Sequence, residues 1–200
     1  MRRKTFDTIL TFGGVVLTIV LLVAGALLMW GSNFANSNVK SQLAQQQITF
    51  PTAQQLAHPN GGEITASMQK YLGPYAGKQL TTGTEAKAYA DHFIAVHLSE
   101  MPYGGVYSKV SAASMAAPTN TTLATEVGTV FKGTTLRGLL LEAYGFSEFG
   151  QIALIASVGS FIAAAVMALL SAFGFSHLRK VRPDEEFLAP PVAVQTPVMV

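Results

Sequence analysis

Asp91, His92, His97 and Glu100 fall within one ten-residue stretch. Carboxylates and imidazoles this close are the groups that ligate metals or move protons. Spacing is the first test. Two zinc ligands on one helix face sit three or four residues apart, whereas His92 and His97 are five apart. Five helical steps turn through about 500°, so the two rings point about 140° away from each other. His58 is the one further imidazole nearby that could join either ring. His92 and His97 are therefore carried as candidate ligands only. The spacing itself predicts two surface or partly buried histidines, with no metal and no cofactor implied.

Other chemistry-bearing patterns are sparse. The glycine pairs in "PNGGE" (59–63) and "YGGVY" (103–107) follow no strand and fit no phosphate loop, so they read as turns. No G-x-S-x-G elbow is present. The chain has 0 cysteines, which excludes disulfides, thiolate metal sites and cysteine nucleophiles. Tyr71, Tyr75, Tyr89, Tyr103 and Tyr107 gather in the same region. They either line a ligand or partner surface or pack a small helical core, and core packing is the expectation.

The elements that must position these residues are helical. "TTGTEAKAYADHFIAVHLSE" (81–100) opens on Thr82 and Glu85 at capping-box spacing. It continues as an apolar stripe of Ala86, Tyr89, Ala90, Phe93 and Val96. "MPYGG" (101–105) breaks it. Shorter helices are expected in 64–77, ending near Gly73-Pro74, and in 107–118. Residues 51–63, with Pro51 and Pro59, read as loop. From Asn120 a three–four apolar repeat runs on without proline, predicting one long helix from about 120 to about 178 with a bend at Gly145 or Gly150. At the other end a helix runs outward through Val39, Leu43 and Gln46 until Thr49-Phe50-Pro51 stops it.

Two stretches carry no charge. From Ile9 to Trp30 the chain is apolar, and at about 1.5 Å per residue a helix of that length crosses a hydrocarbon core of about 30 Å. Trp30 closes it where an interfacial aromatic belongs. The alternative, a cleaved signal peptide, needs a shorter apolar core and a small-x-small site, and "SNFANSN" (32–38) offers none. In the twin-arginine alternative, the Phe of "RRKTF" stands one place too far along. The second uncharged stretch runs from Gln151 to Phe175. Arg2, Arg3 and Lys4 precede the first, and Arg179, Lys180 and Arg182 follow the second. The positive-inside rule then puts both termini in the cytoplasm and the middle outside. The middle, residues 31–148, is neutral, with seven bases and seven acids. The composition agrees with a membrane protein: hydrophobic residues are 50%, charged residues 12%, and the mean hydropathy is +0.36. A net charge of +2 is too small to suggest nucleic-acid binding.

The expected architecture is an all-α membrane protein. A two-helix transmembrane hairpin extends outward to a small helical extracytoplasmic cap. The divisions are a cytoplasmic N-terminus (1–7), a first span (8–30), the extracytoplasmic helical domain (31–148), a second span (149–176) and a cytoplasmic tail (177–200). The proline- and valine-rich end of that tail (183–200) reads as disordered, with no lipidation signal. Neither apolar run contains an ionisable residue, which argues against a transporter or pump built from this chain alone. Small residues recur four apart as Ala156 and Ser160, Gly159 and Ala163, and Ala164 and Ala168. These are candidate helix-packing positions toward the first span or a partner. Asn120-Thr121-Thr122 is a formal glycosylation sequon.

Several segments resemble a group of small actinobacterial membrane proteins. They are "MRRKTFD", "FANSNV", "GKQLTTGTEAKAYADHFIAVHL", "TLRGLLLEAYGFSEFGQIA" and "HLR", and the resemblance covers residues 1 to about 182. It implies a plasma-membrane home and a sequon without meaning, and it transfers no activity. Some members carry the label aromatic ring-opening dioxygenase. Such enzymes need an iron site, and these residues present no 2-His-1-carboxylate set. The function expected is that of a non-enzymatic subunit. It sits in the lipid bilayer and binds other membrane or envelope proteins, or itself. A small-ligand receptor or an enzyme with its site in the cap is the alternative. A pore of several copies is least favoured, because no polar stripe lines either span.

Overall fold

A computed structural model describes residues 3–59 and 63–180. The expected disordered tail at 183–200, Arg2, Arg182 and the glycine pair Gly61-Gly62 lie outside the described residues. Among the described residues the chain is helical, with seven α-helices in order: α1 (Arg3–Gln46), α2 (Ala53–Ala57), α3 (Ala66–Leu72), α4 (Gly83–Tyr89), α5 (Ala95–Glu100), α6 (Tyr107–Ala116) and α7 (Thr121–Leu178). Two of them, α1 at 44 residues and α7 at 58, are long and apolar enough to cross a membrane. The chain forms two compact units, one drawn from Met1–Met29 and Ile155–Val200, the other Trp30–Leu154.

In the first unit α1 and α7 pack antiparallel. Thr11 lies at Gly174, Gly14 at Ser171, and Gly25 at Phe161 and Ser157. Among the buried and half-buried positions, Thr11, Gly14, Thr18, Leu21, Gly25 and Leu28 of α1 face Ser157, Ser160, Ala164, Met167, Ser171 and Gly174 of α7, with Val15, Ala24 and Ala163 half-buried at the flanks. Both follow alternating steps of three and four, the seam of a left-handed coiled pair. Small side chains let the backbones close up. A methyl on Gly25 would stand 2.9 Å from the Phe161 ring. That proximity lets Ser157 Oγ donate to the Gly25 carbonyl at 2.8 Å across the seam. Phe12 and Phe175 meet edge to face at 5.7 Å, and Asp7 lies 3.9 Å from His177.

The second unit has a conventional apolar core. Val39 and Leu43 of α1, Leu140 of α7, Met68 and Leu72 of α3, and Ala86 and Ala90 all bury there around Phe50, Leu56 and Leu80. One antiparallel bridge pins the long connection. Phe50 N–H donates to the Lys78 carbonyl at 2.9 Å, and Leu80 N–H to the Ile48 carbonyl at 2.8 Å.

Three local details differ from the sequence reading, and the expected break at "MPYGG" takes a specific form. Helix α1 stops at Gln46, before Thr49-Phe50-Pro51, because Gln47 turns left-handed with φ of 53° and the chain then pairs with Lys78–Leu80. Residues 51–63 are not all loop: Thr52 and Gln55 form a capping box that starts α2. The stretch 81–100 is capped by Thr82 and Glu85 as expected, but a π-helical turn (Ala90–Ile94) separates α4 from α5. In "MPYGG", Tyr103, Gly104 and Gly105 are all left-handed, with φ of 56°, 65° and 63°. That reverses the chain into α6, and Gly105 is required because a side chain there would strike the Leu98 carbonyl. Helix α7 begins as expected, with Asn120 Oδ1 accepting from the Leu123 N–H.

Two glycines separate packing from propensity. Gly83 is buried, and a methyl on it would collide with Ser147 and stand 3.2 Å from the α7 backbone at Tyr144. Gly138 stands exposed inside α7 with open space around it. Gly83→Ala is expected to destabilise the protein by about 1–3 kcal/mol by overpacking. Gly138→Ala is expected to stabilise it by about 0.5–1 kcal/mol through helix propensity. Thermal unfolding followed by circular dichroism reads both, and equal shifts would refute the close approach at Gly83.

Candidate functional site

The histidines flagged by sequence are held apart by different partners. His92 lies flat on Tyr71, ring centroids 3.7 Å apart with 4° between planes, and Lys70 Nζ stands 5.2 Å from the same tyrosine ring. His92 lies within the π-turn and His97 in α5 beyond it. His97 packs on Phe93 at 4.5 Å, and its Nδ1 lies 2.7 Å from the Phe93 carbonyl oxygen. Both rings are half-buried. Among the described residues no three His, Cys, Asp or Glu side chains come together where they could hold a metal ion.

The polar cluster centres instead on Asp91. Its carboxylate accepts from Lys87 Nζ at 2.7 Å and from an Arg137 guanidinium nitrogen of α7 at 2.9 Å. Lys87 also stands 5.2 Å from the Tyr144 ring. The Lys87 hydrogen bond, outweighing partial burial and joined by Arg137, holds the Asp91 carboxyl below its ordinary value. The same hydrogen bond holds the Lys87 ammonium above its own. Chemically this is a clamp: an ionised carboxylate between two cations is a poor base, and nothing in the cluster is a nucleophile. It ties the π-turn to α7.

The tyrosines divide. Tyr75 and Tyr89 pack on Phe50 at 5.2 and 5.4 Å, and burial pushes the Tyr89 phenol up. Tyr71 carries His92, whereas Tyr103 and Tyr107 are exposed. Of the candidate helix-packing residues, Ala164 is buried and Ser160 and Ala163 are half-buried, while Ala156, Gly159 and Ala168 are exposed. Ser160 and Ala164 thus share the buried stripe with Ser157 and Ser171, whose close approaches to Gly25 and Gly14 were not among the candidates.

A groove of about 610 Å³ lies in the second unit, between residues 34–46 of α1 and 136–146 of α7. Val39, Leu43 and Leu140 form its buried floor; Asn38, Gln42, Gln46 and Glu142 stand at its polar margins, and Phe34 and Phe146 at one end. Its volume lies in the range of small-molecule sites. The sequence reading missed it. The signal was there in Val39 and Leu43 opposite Leu136, Leu139 and Leu140, but only the pairing of two distant helices makes a groove of them. No known protein family, curated protein or solved structure matches this chain.

The clamp gives a pH dependence. A carboxyl whose native pKa is depressed adds stability that is complete above its unfolded value, about 3.9, and lost as pH falls through the lower native value. The wild-type melting temperature is expected to fall more steeply below pH about 4 than that of Asp91→Asn. At neutral pH the substitution costs about 1 kcal/mol, modest because the pair is partly solvated. Parallel pH profiles would mean that the clamp does not act.

Proposed function

We propose that this chain is a two-span plasma-membrane protein with both termini in the cytoplasm and residues 31–148 outside. It acts as a non-enzymatic accessory subunit that binds other membrane or envelope proteins. The observation that carries the membrane part is how little the apolar helices are covered. In their most apolar windows only 17% of α1 and 11% of α7 is buried. A core helix of a soluble protein would be mostly buried, and exposed apolar surface on this scale demands a lipid or protein cover. The basic residues Lys4 and Arg179–Lys180 flank the two apolar runs on their terminal sides, which supports the orientation. The likeness to small actinobacterial membrane proteins points the same way.

The accessory role rests on chemistry. The ionisable cluster is a mutually satisfied clamp, the histidines pack on aromatic rings, and the spans carry no ionisable group for an ion path. Exposed side chains such as Tyr103, Tyr107 and Phe131 leave apolar surface in the second unit for association.

A chain free of cysteine makes the topology directly readable. With single cysteines at Thr5, Ser67 or Thr196, a membrane-impermeant maleimide on intact cells is expected to label only Ser67→Cys. The other two should label only after permeabilisation. Labelling of Thr5→Cys or Thr196→Cys in intact cells would overturn the orientation. Purification in mild detergent is expected to bring down a stoichiometric membrane partner, and recovery of a lone monomer would contradict the accessory role.

A further inference from the structure

We infer that the groove between α1 and α7 seats one acyl chain of an outer-leaflet lipid, drawn up out of the bilayer. The inference rests on the membrane reading above and deepens it by naming what the outer domain takes hold of. Three observations carry it.

The first is dimension. On α1 the groove runs from Phe34 to Gln46, twelve helical steps, or about 18 Å. One leaflet of a hydrocarbon core about 30 Å thick is about 15 Å deep, so the groove has the length of a lipid tail. The second is continuity. Phe34, at one end of the groove, stacks on Trp30 at 5.6 Å, and Trp30 is 67% exposed. Across from them Phe146 is followed by Phe149, which is 71% exposed. Exposed aromatic rings therefore continue from the end of the groove along both helices of this unit, with Glu148 the one charged residue between Phe146 and Phe149. The third is charge. Glu142 is the one ionised side chain lining the groove, and no cation lines it. An anionic headgroup finds no partner there, whereas an apolar tail finds a buried aliphatic floor and uncharged amides along the margin. The occupant is thus the tail of a lipid without net negative charge.

The single native tryptophan supplies the internal control. The full-length chain is reconstituted in phosphatidylcholine vesicles whose acyl chains are brominated either near the headgroup or near their ends, and tryptophan emission is read. In the wild type, Trp30 is expected to be quenched by the headgroup-proximal bromines, which share its interfacial depth; positions 45 and 46 are read with the end-brominated chains. In Trp30→Phe/Gln46→Trp the new indole stands about 24 Å further along α1, beyond the reach of chains confined to the bilayer. It is expected to lose about half its emission, whereas Trp30→Phe/Gln45→Trp, one residue away and outside the groove, is unchanged. Adding Ala143→Phe, which fills the groove, is expected to abolish the quenching at position 46. Replacing the brominated lipid by brominated phosphatidylglycerol should weaken it. If Trp30 is quenched but position 46 behaves like position 45, no acyl chain enters the groove and a helix of a partner or second copy is its occupant, while the membrane reading stands. If Trp30 itself is unquenched, the membrane reading fails and this inference with it.

Discussion

A helix with no charged side chain over more than twenty positions cannot leave its flank in water without large cost, and this constraint governs the molecule. Within the chain, α1 and α7 cover only one narrow seam of each other. What remains is open apolar surface, and under hydrocarbon, its proposed cover, every polar group would need an internal partner. Several hydroxyls meet that demand. Thr8, Thr11 and Thr18 each donate to the carbonyl four residues back, at 2.7, 2.7 and 2.8 Å, and Ser157 donates across the seam. Ser171 Oγ, buried against Gly14, has no such partner.

Packing between the two helices follows from the same constraint. Apolar faces gain nothing from each other that lipid does not already supply, so close approach and hydrogen bonding have to hold the pair. Gly14, Gly25 and Gly174 stand where Ser171, Phe161 and Thr11 come in on the opposite helix. In the second unit the logic changes with the solvent. There the same helices present Val39, Leu43 and Leu140 to a core completed by short capped helices, and burial from water supplies the driving force. The Asp91 clamp adds direction to that core by fixing the π-turn against α7.

Much of this was legible in the residues. The two apolar runs, the Thr82–Glu85 cap, the helix start at Asn120 and the breaks at Gly73-Pro74 and "MPYGG" follow from local chemistry, and local chemistry decides them. The Thr52–Gln55 cap was equally legible but hidden by the flanking prolines. Other features were not readable, for stated reasons. The stop at Gln46 depends on a bridge to Lys78–Leu80 some thirty residues on. The packing seam depends on phase: rows of small residues four apart exist on several faces of α7, and only the hydroxyl of Ser157 meeting Gly25 selects one. Asp91 was grouped with His92 by proximity, whereas its partners are Lys87, one turn back, and Arg137, forty-six positions away. The groove is a product of two helices that sequence places about a hundred residues apart.

The central claim is that the apolar parts of α1 and α7 are sheathed in hydrocarbon. Hydrogen–deuterium exchange on the full-length chain in lipid nanodiscs tests it most directly. The account predicts that amides of residues 8–30 and 149–176 stay protected in denaturant that already unfolds the short helices α2 to α6, because water reaches the latter and not the former. Exchange of both spans together with the short helices would contradict it.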